Sequence, residues 1–544
     1  MPPIYNDVLE KLRKLFPQPV SDPVHDGYVV FSILRALDQV DALKSQTPLL
    51  GIPAEPDYDR ARSRRVPGEA TTLEGVIPDL VNYLQGMFIW GHPRSQINVV
   101  PNPTLASVIG VLLPLIYNPN LCSDESGRLF SEAEVAVAAM TADLIGYHTQ
   151  RSTGVFTFGG TGALLYGVKV GLEKALPNSS HTGIGERAVV LASSQSHYSC
   201  LSVAAWLGIG QDNVISVPTH LDNSIDVAEL EAAACKAIEG GGKIAALIAT
   251  MGSTDAFGID DLHAIEALRN RLVDEYQLAY RPHIHADAVI GWAWSMFNDY
   301  SFQTNPLGFR GRTVRALAAA QHRMQHLKLA DSIGIDFHKT GYTPYVASLF
   351  MVREQEDVHR IARGRSTMPY LYQSGHHHPG MFTLETTRSA AGPMAALASL
   401  QLLGREGYRT LLGHAVEMAE VLRERIESHP NLTVLNGENV GPVTLFRAYP
   451  DDVDTFTVKD QERSDPEYQE RVKAHNDYNR RIFERVHAEA LAGRGVVISL
   501  TANYRQTDFG TPIVALKSYV LSPFADESRM QSIIDHVLEA REHA

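Results

Sequence analysis

Along the middle of the chain, short unbroken apolar runs alternate with stretches whose apolar residues recur every three or four positions. The runs fall at residues 188–192, 214–217, 244–250, 283–289, 332–337 and 349–352. Runs of this length between turn residues predict buried strands, and the helical spacing between them predicts crossover helices. Residues 121–390 are therefore expected to form an α/β domain around a largely parallel central sheet with helices on both faces, its ligand sites at the strand ends. Residues 1–120 are proline-punctuated and amphipathic in places, as at Val8, Leu9, Leu12, Leu15 and Phe16, and read as an N-terminal helical segment. After Arg388 helical patterns lead into a smaller C-terminal α+β domain, residues 391–544.

Two stretches carry expectations of their own. Residues 105–117 are the most apolar, contain Pro114 and fall short of the ~20 residues of a membrane span, so they read as a buried helix. The charged run at 451–485 has a helical composition and reads as a solvated helix face.

Composition narrows the class of partner. The 544 residues are 44% hydrophobic and 20% charged, as in a globular enzyme of more than one lobe. A formal charge of −14 disfavours nucleic acid and anionic membranes, which would repel it. Cys122, Cys200 and Cys235 are widely spaced and lack a Cys-x-x-Cys pair, so neither a disulfide framework nor a structural zinc is expected. The start has neither the basic head nor the apolar core of a secretion signal, which fits a cytoplasmic protein.

The candidate chemistry sits at the ends of the predicted strands. Lys339, in Asp336-Phe337-His338-Lys339, is delivered by a strand end into a polar turn, where its amine is placed to form an imine with an aldehyde. Asp287, in His285-Ala286-Asp287, ends another strand, and a carboxylate there can keep a pyridine nitrogen protonated so that the ring accepts electrons. Either motif alone also reads as a surface pair or a plain strand end. Gly159-Gly160-Thr161-Gly162 precedes a helical repeat of Leu165, Val168 and Leu172, so free N–H groups and the helix dipole would favour a phosphate; a Gly-rich turn that only starts a packed helix reads the same way. His197, in Ser196-His197-Tyr198-Ser199, follows a strand and can lie flat on an aromatic ring or serve as a hydrogen-bonded structural residue.

In this order and spacing, segments 157–162, 196–199, 250–254 with Gly258-Ile259-Asp260, 285–288 and 336–339 resemble the group II pyridoxal phosphate-dependent decarboxylases, which include the aromatic amino acid, glutamate and diaminobutyrate enzymes. The likeness runs from about His92 to Pro523. It implies a fold type I pyridoxal phosphate-dependent transferase-like architecture, pyridoxal 5′-phosphate as cofactor, and a homodimer in which residues 1–120 pack across the partner. By the same resemblance Lys339 carries the cofactor aldehyde, Asp287 faces the ring nitrogen and His197 stacks on the ring. Gly160, Thr161 and His338 would hold the phosphate, with Thr250 near the ring.

The resemblance also implies substrate and lid residues. Asn98 falls in Gly91-His92-Pro93-Arg94-Ser95-Gln96-Ile97-Asn98, which is similar to the substrate-pocket segment but lacks the aromatic pair of aromatic amino acid decarboxylases. Arg388 matches a family arginine and is assigned to the substrate carboxylate or to a pocket salt bridge. Residues 363–380 stand where the family has a loop that closes over the neighbouring subunit's site, with Tyr370, Tyr372 and the run His376, His377, His378 as proton donors. Of these, Tyr372 and His377 are taken as the catalytic candidates, and no metal is expected at the three histidines. The family joins its motifs more directly than this chain does between Gly291 and Ala330, so residues 298–329 read as an insertion at the rim of the site. The expected reaction is decarboxylation of an L-amino acid to the amine and carbon dioxide. The alternatives are an aldehyde synthase, a carbon–carbon lyase of the same fold, or an inactive homologue that binds a partner.

Overall fold

The computed structural model describes residues 4–368 and 373–544. Seven strands form the main sheet: β1 (Thr153–Thr157), β2 (Ala188–Ser193), β3 (Val214–Val217), β4 (Lys243–Thr250), β5 (His283–Asp287), β6 (Ser332–Asp336) and β7 (Ser348–Val352). Their order is β1-β7-β6-β5-β4-β2-β3. β7 runs antiparallel to both of its neighbours, and the pairs from β6 to β3 are parallel. β1 is a strand that the apolar pattern did not mark, because glycine and two threonines interrupt it.

Alternate residues of these strands feed two separate cores. Val190, Ala192, Ala246, Ile248 and Phe350 pack under helices Gly160–Ala175 and Ser199–Trp206. Val189, Leu191, Leu247, Ile284, Ile333 and Met351 pack under helices that include Leu129–Ile145, Leu262–Glu275 and Gly311–Met324. Burial on both faces is what makes these strands read as unbroken apolar runs. A second sheet lies nearer the C-terminus, with β8 (Leu432–Val434), β9 (Val443–Ala448), β10 (Ser499–Thr501) and β11 (Ala515–Tyr519) in the antiparallel order β10-β11-β9-β8.

Three expectations need correction. Within residues 298–329, Gly311–Met324 does not sit at the rim of the site: it is a crossover helix between the adjacent parallel strands β5 and β6, packed on the core. It buries Thr313, Ala316, Leu317, Ala320 and Met324, while Arg312 reaches Glu420 and Glu427 on helix Ala391–Glu427. Helix Leu105–Tyr117 forms where expected but buries its small face, Ser107, Gly110 and Pro114, and leaves Ile109 55% and Leu115 53% exposed. A Cβ on Gly110 would come 2.6 Å from Met394 O, so this close approach needs glycine. The charged run is broken at Pro466 into helices Val458–Ser464 and Gln469–Leu491, and it is not simply solvated. Glu462 is buried and binds Arg447 at 2.7 Å, His475 at 2.8 Å and the Tyr449 hydroxyl at 3.0 Å.

Candidate active site

Thr250, Asp287 and Asp336 are the last residues of β4, β5 and β6, which lie side by side. Thr250 is in register with Asp287, and Asp287 with Gly334. The sheet thus sets three polar side chains along one edge. Lys339 arrives from a turn in which its N–H donates to Asp336 O at 3.2 Å.

Asp336 organises the lysine corner, a role that the sequence reading did not give it. Its Oδ2 lies 3.0 Å from Lys339 Nζ and 3.4 Å from His338 Nε2, and its Oδ1 accepts from Ser348 Oγ at 2.5 Å. Burial opposes the Lys339 charge, but attraction and a hydrogen bond from Asp336, with Asp287 beyond, hold its pKa above the ordinary lysine range. The signal available in the sequence was an acidic strand end three residues before the lysine.

Asp287 is buried, and its Oδ1 has no hydrogen-bond partner among the described residues. Burial pushes its pKa up, while Lys339 and His197 pull it down. An unpartnered buried carboxylate oxygen costs free energy unless something pairs with it, and a protonated pyridine nitrogen is such a partner. His197 shares this field: burial lowers its pKa, Asp287 works the other way and Lys339 adds to the lowering. Its Nδ1 is fixed by Ser199 Oγ at 2.8 Å, which sets the ring plane.

The glycine turn is built as a cradle. Gly159 has φ +122°, where only glycine is at ease, and a Cβ on Gly160 would come 2.9 Å from Val289 Cγ1 and 3.0 Å from Asp336 Oδ2. Helical hydrogen bonding begins with Gly162 N donating to Gly159 O, so the Gly160 and Thr161 amides sit at the open first turn. Thr250 is buried between Ser196, whose Oγ is 2.8 Å from its own, and Asp260, which accepts its N–H at 2.7 Å. Asp260 also accepts from Ile225 N–H at 2.6 Å, and complete burial pushes its pKa up to about 7.

Other candidates stand elsewhere or are already engaged. His338 is buried with Nδ1 accepting from Ala347 N–H at 3.2 Å and Nε2 3.4 Å from Asp336 Oδ2. Arg388 is buried against Glu134 and donates to Leu121 O at 2.6 Å and Phe156 O at 3.0 Å; of its two expected roles, the salt bridge is the arrangement present. His377 belongs to that same neighbourhood: burial lowers its pKa, and Glu134 and Arg388 are the charges that act on it most. Asn98 is exposed, with a left-handed backbone at φ 52°. Tyr370 and Tyr372 lie outside the described residues. Among the described residues no His, Cys, Asp and Glu group is arranged to hold a metal.

Residues 56–448 match the family model described as pyridoxal-dependent decarboxylase conserved domain, and the chain belongs to that family. Its cofactor is pyridoxal phosphate, which the unpartnered Asp287 oxygen, the open glycine turn and Lys339 fit. The chain is 25% identical over 406 residues to aspartate 1-decarboxylase of Aliivibrio fischeri, covering 70% of this chain and 67% of that one. Among solved structures it resembles the glutamate decarboxylase domain of diaminobutyrate-pyruvate transaminase and L-2,4-diaminobutyrate decarboxylase from Vibrio parahaemolyticus. That match has TM-score 0.73 at 18% identity, over 98% of this chain and 100% of the other. It also resembles Rhodiola rosea 4-hydroxyphenylacetaldehyde synthase, with TM-score 0.72 at 15% identity, over 96% and 99%. These structural likenesses establish the fold, and that fold is fold type I.

Proposed function

We propose that the protein decarboxylates a free L-amino acid to its amine and carbon dioxide, with Lys339 as the residue that takes the cofactor aldehyde. The observation that carries this reading is that Asp287, its buried Oδ1 without a partner among the described residues, and the Lys339–Asp336 pair stand at the ends of the adjacent strands β5 and β6. Bound there, pyridoxal phosphate supplies an aldehyde for an amine to join and a ring that draws off the electrons released with carbon dioxide. Asp287 would hold the ring nitrogen protonated, His197 would cover one ring face, and the Gly160 and Thr161 amides would receive the phosphate. Asp336 would take or return the proton of Lys339 Nζ.

A polar side chain is the favoured substrate feature. A cavity of about 890 Å³ opens beside His197 with walls that include Ser194, Thr254, Asp255, Arg463 and Arg505. The missing aromatic pair near Asn98 points the same way. A carbon dioxide release screen over the common amino acids, with the amine quantified, tests the assignment; no release from any of them would reject it.

We also read the active form as a homodimer. Helix Leu105–Tyr117 exposes Ile109, Leu113 and Leu115, and helix Pro23–Asp41 exposes Phe31, Leu34 and Leu37. Side chains of this kind on one chain support a covering partner. His377 and the tyrosines of the lid would then act on the neighbouring subunit's site. The three cysteines are unpaired, which supports a reducing compartment such as the cytoplasm. No described helix is long and apolar enough to cross a membrane.

A further inference from the structure

β5 places His283, His285 and Asp287 on one face of the sheet, since alternate residues share a face. Helix Gly160–Ala175 lies over them, and it can approach only through glycine: a Cβ on Gly167 would come 2.2 Å from His285 Nδ1, and one on Gly171 would come 2.8 Å from His283 Cβ. The two histidines are therefore sealed in, and burial drives the pKa of both down, that of His285 to about 3. Neither takes part in the chemistry proposed above.

Their hydrogen bonds run in one direction. Lys174 Nζ lies 3.1 Å from His283 Nδ1, and an ammonium has only protons to offer, so Nδ1 accepts and the ring proton sits on Nε2. His283 Nε2 is 2.7 Å from Ser332 Oγ and donates to it. The serine's own proton then goes to His285 Nδ1, 2.8 Å away. His285 is left with its proton on Nε2, a buried atom with no partner among the described residues. Asp331 does not divert the chain. Its Oδ2 is 3.9 Å from His283 Nδ1, beyond hydrogen-bond reach, and it already accepts from Arg269 Nη1 at 2.5 Å and Ile284 N–H at 2.9 Å.

That last donor faces the residue beside Asp287. Gly334, the partner of Asp287 across β5 and β6, carries no side chain, and a Cβ there would lie 3.5 Å from His285 Nε2. An unmatched donor and the unmatched Asp287 Oδ1 thus share one face of one strand, two residues apart. At the far end, Lys174 is anchored by Asp357 at 2.6 Å.

We infer that Lys174, His283, Ser332 and His285 form a one-way hydrogen-bond chain that directs His285 Nε2–H toward the Asp287 carboxylate through one bridging water, the two groups having no direct hydrogen bond, and holds it ionised for the ring nitrogen. This rests on the reading of Asp287 given above. His285 is a positioning residue here, since it acts through Asp287.

The test uses the full chain stripped of cofactor and titrated with pyridoxal phosphate, together with the histidine tautomers read by nitrogen-15 NMR. In the parent both rings should be Nε2–H. His285→Leu should weaken cofactor binding by about tenfold, the worth of one hydrogen bond to a charged group, whereas His285→Gln, which keeps a donor, should stay within about threefold. Lys174→Met, at the outer end, should leave His283 free to carry its proton on Nδ1. An Nδ1–H tautomer at His285 in the parent, or unchanged affinity in His285→Leu, overturns the chain. If Asp287→Asn itself leaves affinity and the bound-cofactor spectrum unchanged, the reading of Asp287 fails first, so the two failures are distinguishable.

Discussion

Lys339 Nζ lies 3.0 Å from Asp336 Oδ2, three residues earlier in the chain, so the proposed cofactor lysine and its counterion come from one strand-to-turn corner. Only the unprotonated amine attacks an aldehyde, and Asp336 raises the Lys339 pKa against the effect of burial. Removing that charge lowers the pKa and leaves more free amine at a given pH. Asp336→Asn should therefore shift the pH profile of aldehyde capture downward, measured as the rate of cofactor absorbance change on mixing stripped protein with pyridoxal phosphate. A midpoint that stays put or rises contradicts this. Lys339→Ala should abolish both turnover and that absorbance change.

Asp287→Asn should bind cofactor yet turn over at least about a hundredfold more slowly, which corresponds to about 2.7 kcal/mol of lost stabilisation. An amide cannot hold the ring nitrogen protonated. Steady-state turnover within tenfold of the parent would mean that Asp287 has another role.

Much of this arrangement was legible in the residues. β2 and β4 to β7 are buried on both sides, and such strands announce themselves as apolar runs; Asp287 stood out because it ends one and Lys339 because it follows one. β1 was not legible, because Gly154, where a Cβ would come 2.8 Å from Met351 Cγ, and the threonines at both ends leave no apolar run. The engagements of Arg388 with Glu134 and of His338 with Ala347 join residues 254 and 9 positions apart, and no local pattern specifies such pairings. The exposed apolar face of helix Leu105–Tyr117 was misread for a related reason: apolar content reports that a helix is to be covered, but not whether its own chain covers it.

Acid should weaken the fold through His285. Its pKa in the folded protein is about 3 against an ordinary 6.5, so the unfolded chain takes up the proton first. The stability is complete above pH 6.5 and is lost as pH falls from there toward 3, amounting to about 2 kcal/mol at pH 5 for this one ring. Thermal melts of the parent and of His285→Gln at pH 7 and pH 5 check this. The parent should lose more Tm on acidification than the variant, and equal losses would show that His285 is not the group responsible.

Ile109 and Leu113 sit one helical turn apart at 55% and 48% exposure. If a second copy of the chain covers them, the double variant Ile109→Asp, Leu113→Asp should shift the sedimenting species from dimer to monomer and lower activity, because lid residues would no longer reach the neighbouring site. Two buried carboxylates facing an apolar partner cost several kcal/mol, enough to dissociate a micromolar dimer. A parent that is monomeric and fully active would remove the dimer from the proposal.

The fate of the carbon that loses carbon dioxide separates the amine product from the aldehyde. A proton delivered to that carbon gives the amine, whereas oxygen that reaches it first gives aldehyde, ammonia and peroxide. The fold itself does not decide, since 4-hydroxyphenylacetaldehyde synthase shares it. Tyr370, Tyr372 and the His376, His377, His378 run supply candidate donors on the loop expected to close the site, and a hydroxyl or imidazole within reach competes well with dissolved oxygen. The parent should thus release amine and carbon dioxide in equal amounts with no oxygen uptake. Tyr372→Phe, or His377→Phe if the histidine is the donor, should slow amine release by about tenfold or more and switch on oxygen consumption. An oxygen electrode run beside the amine assay decides it: uptake by the parent in step with product would make the protein an aldehyde-forming enzyme.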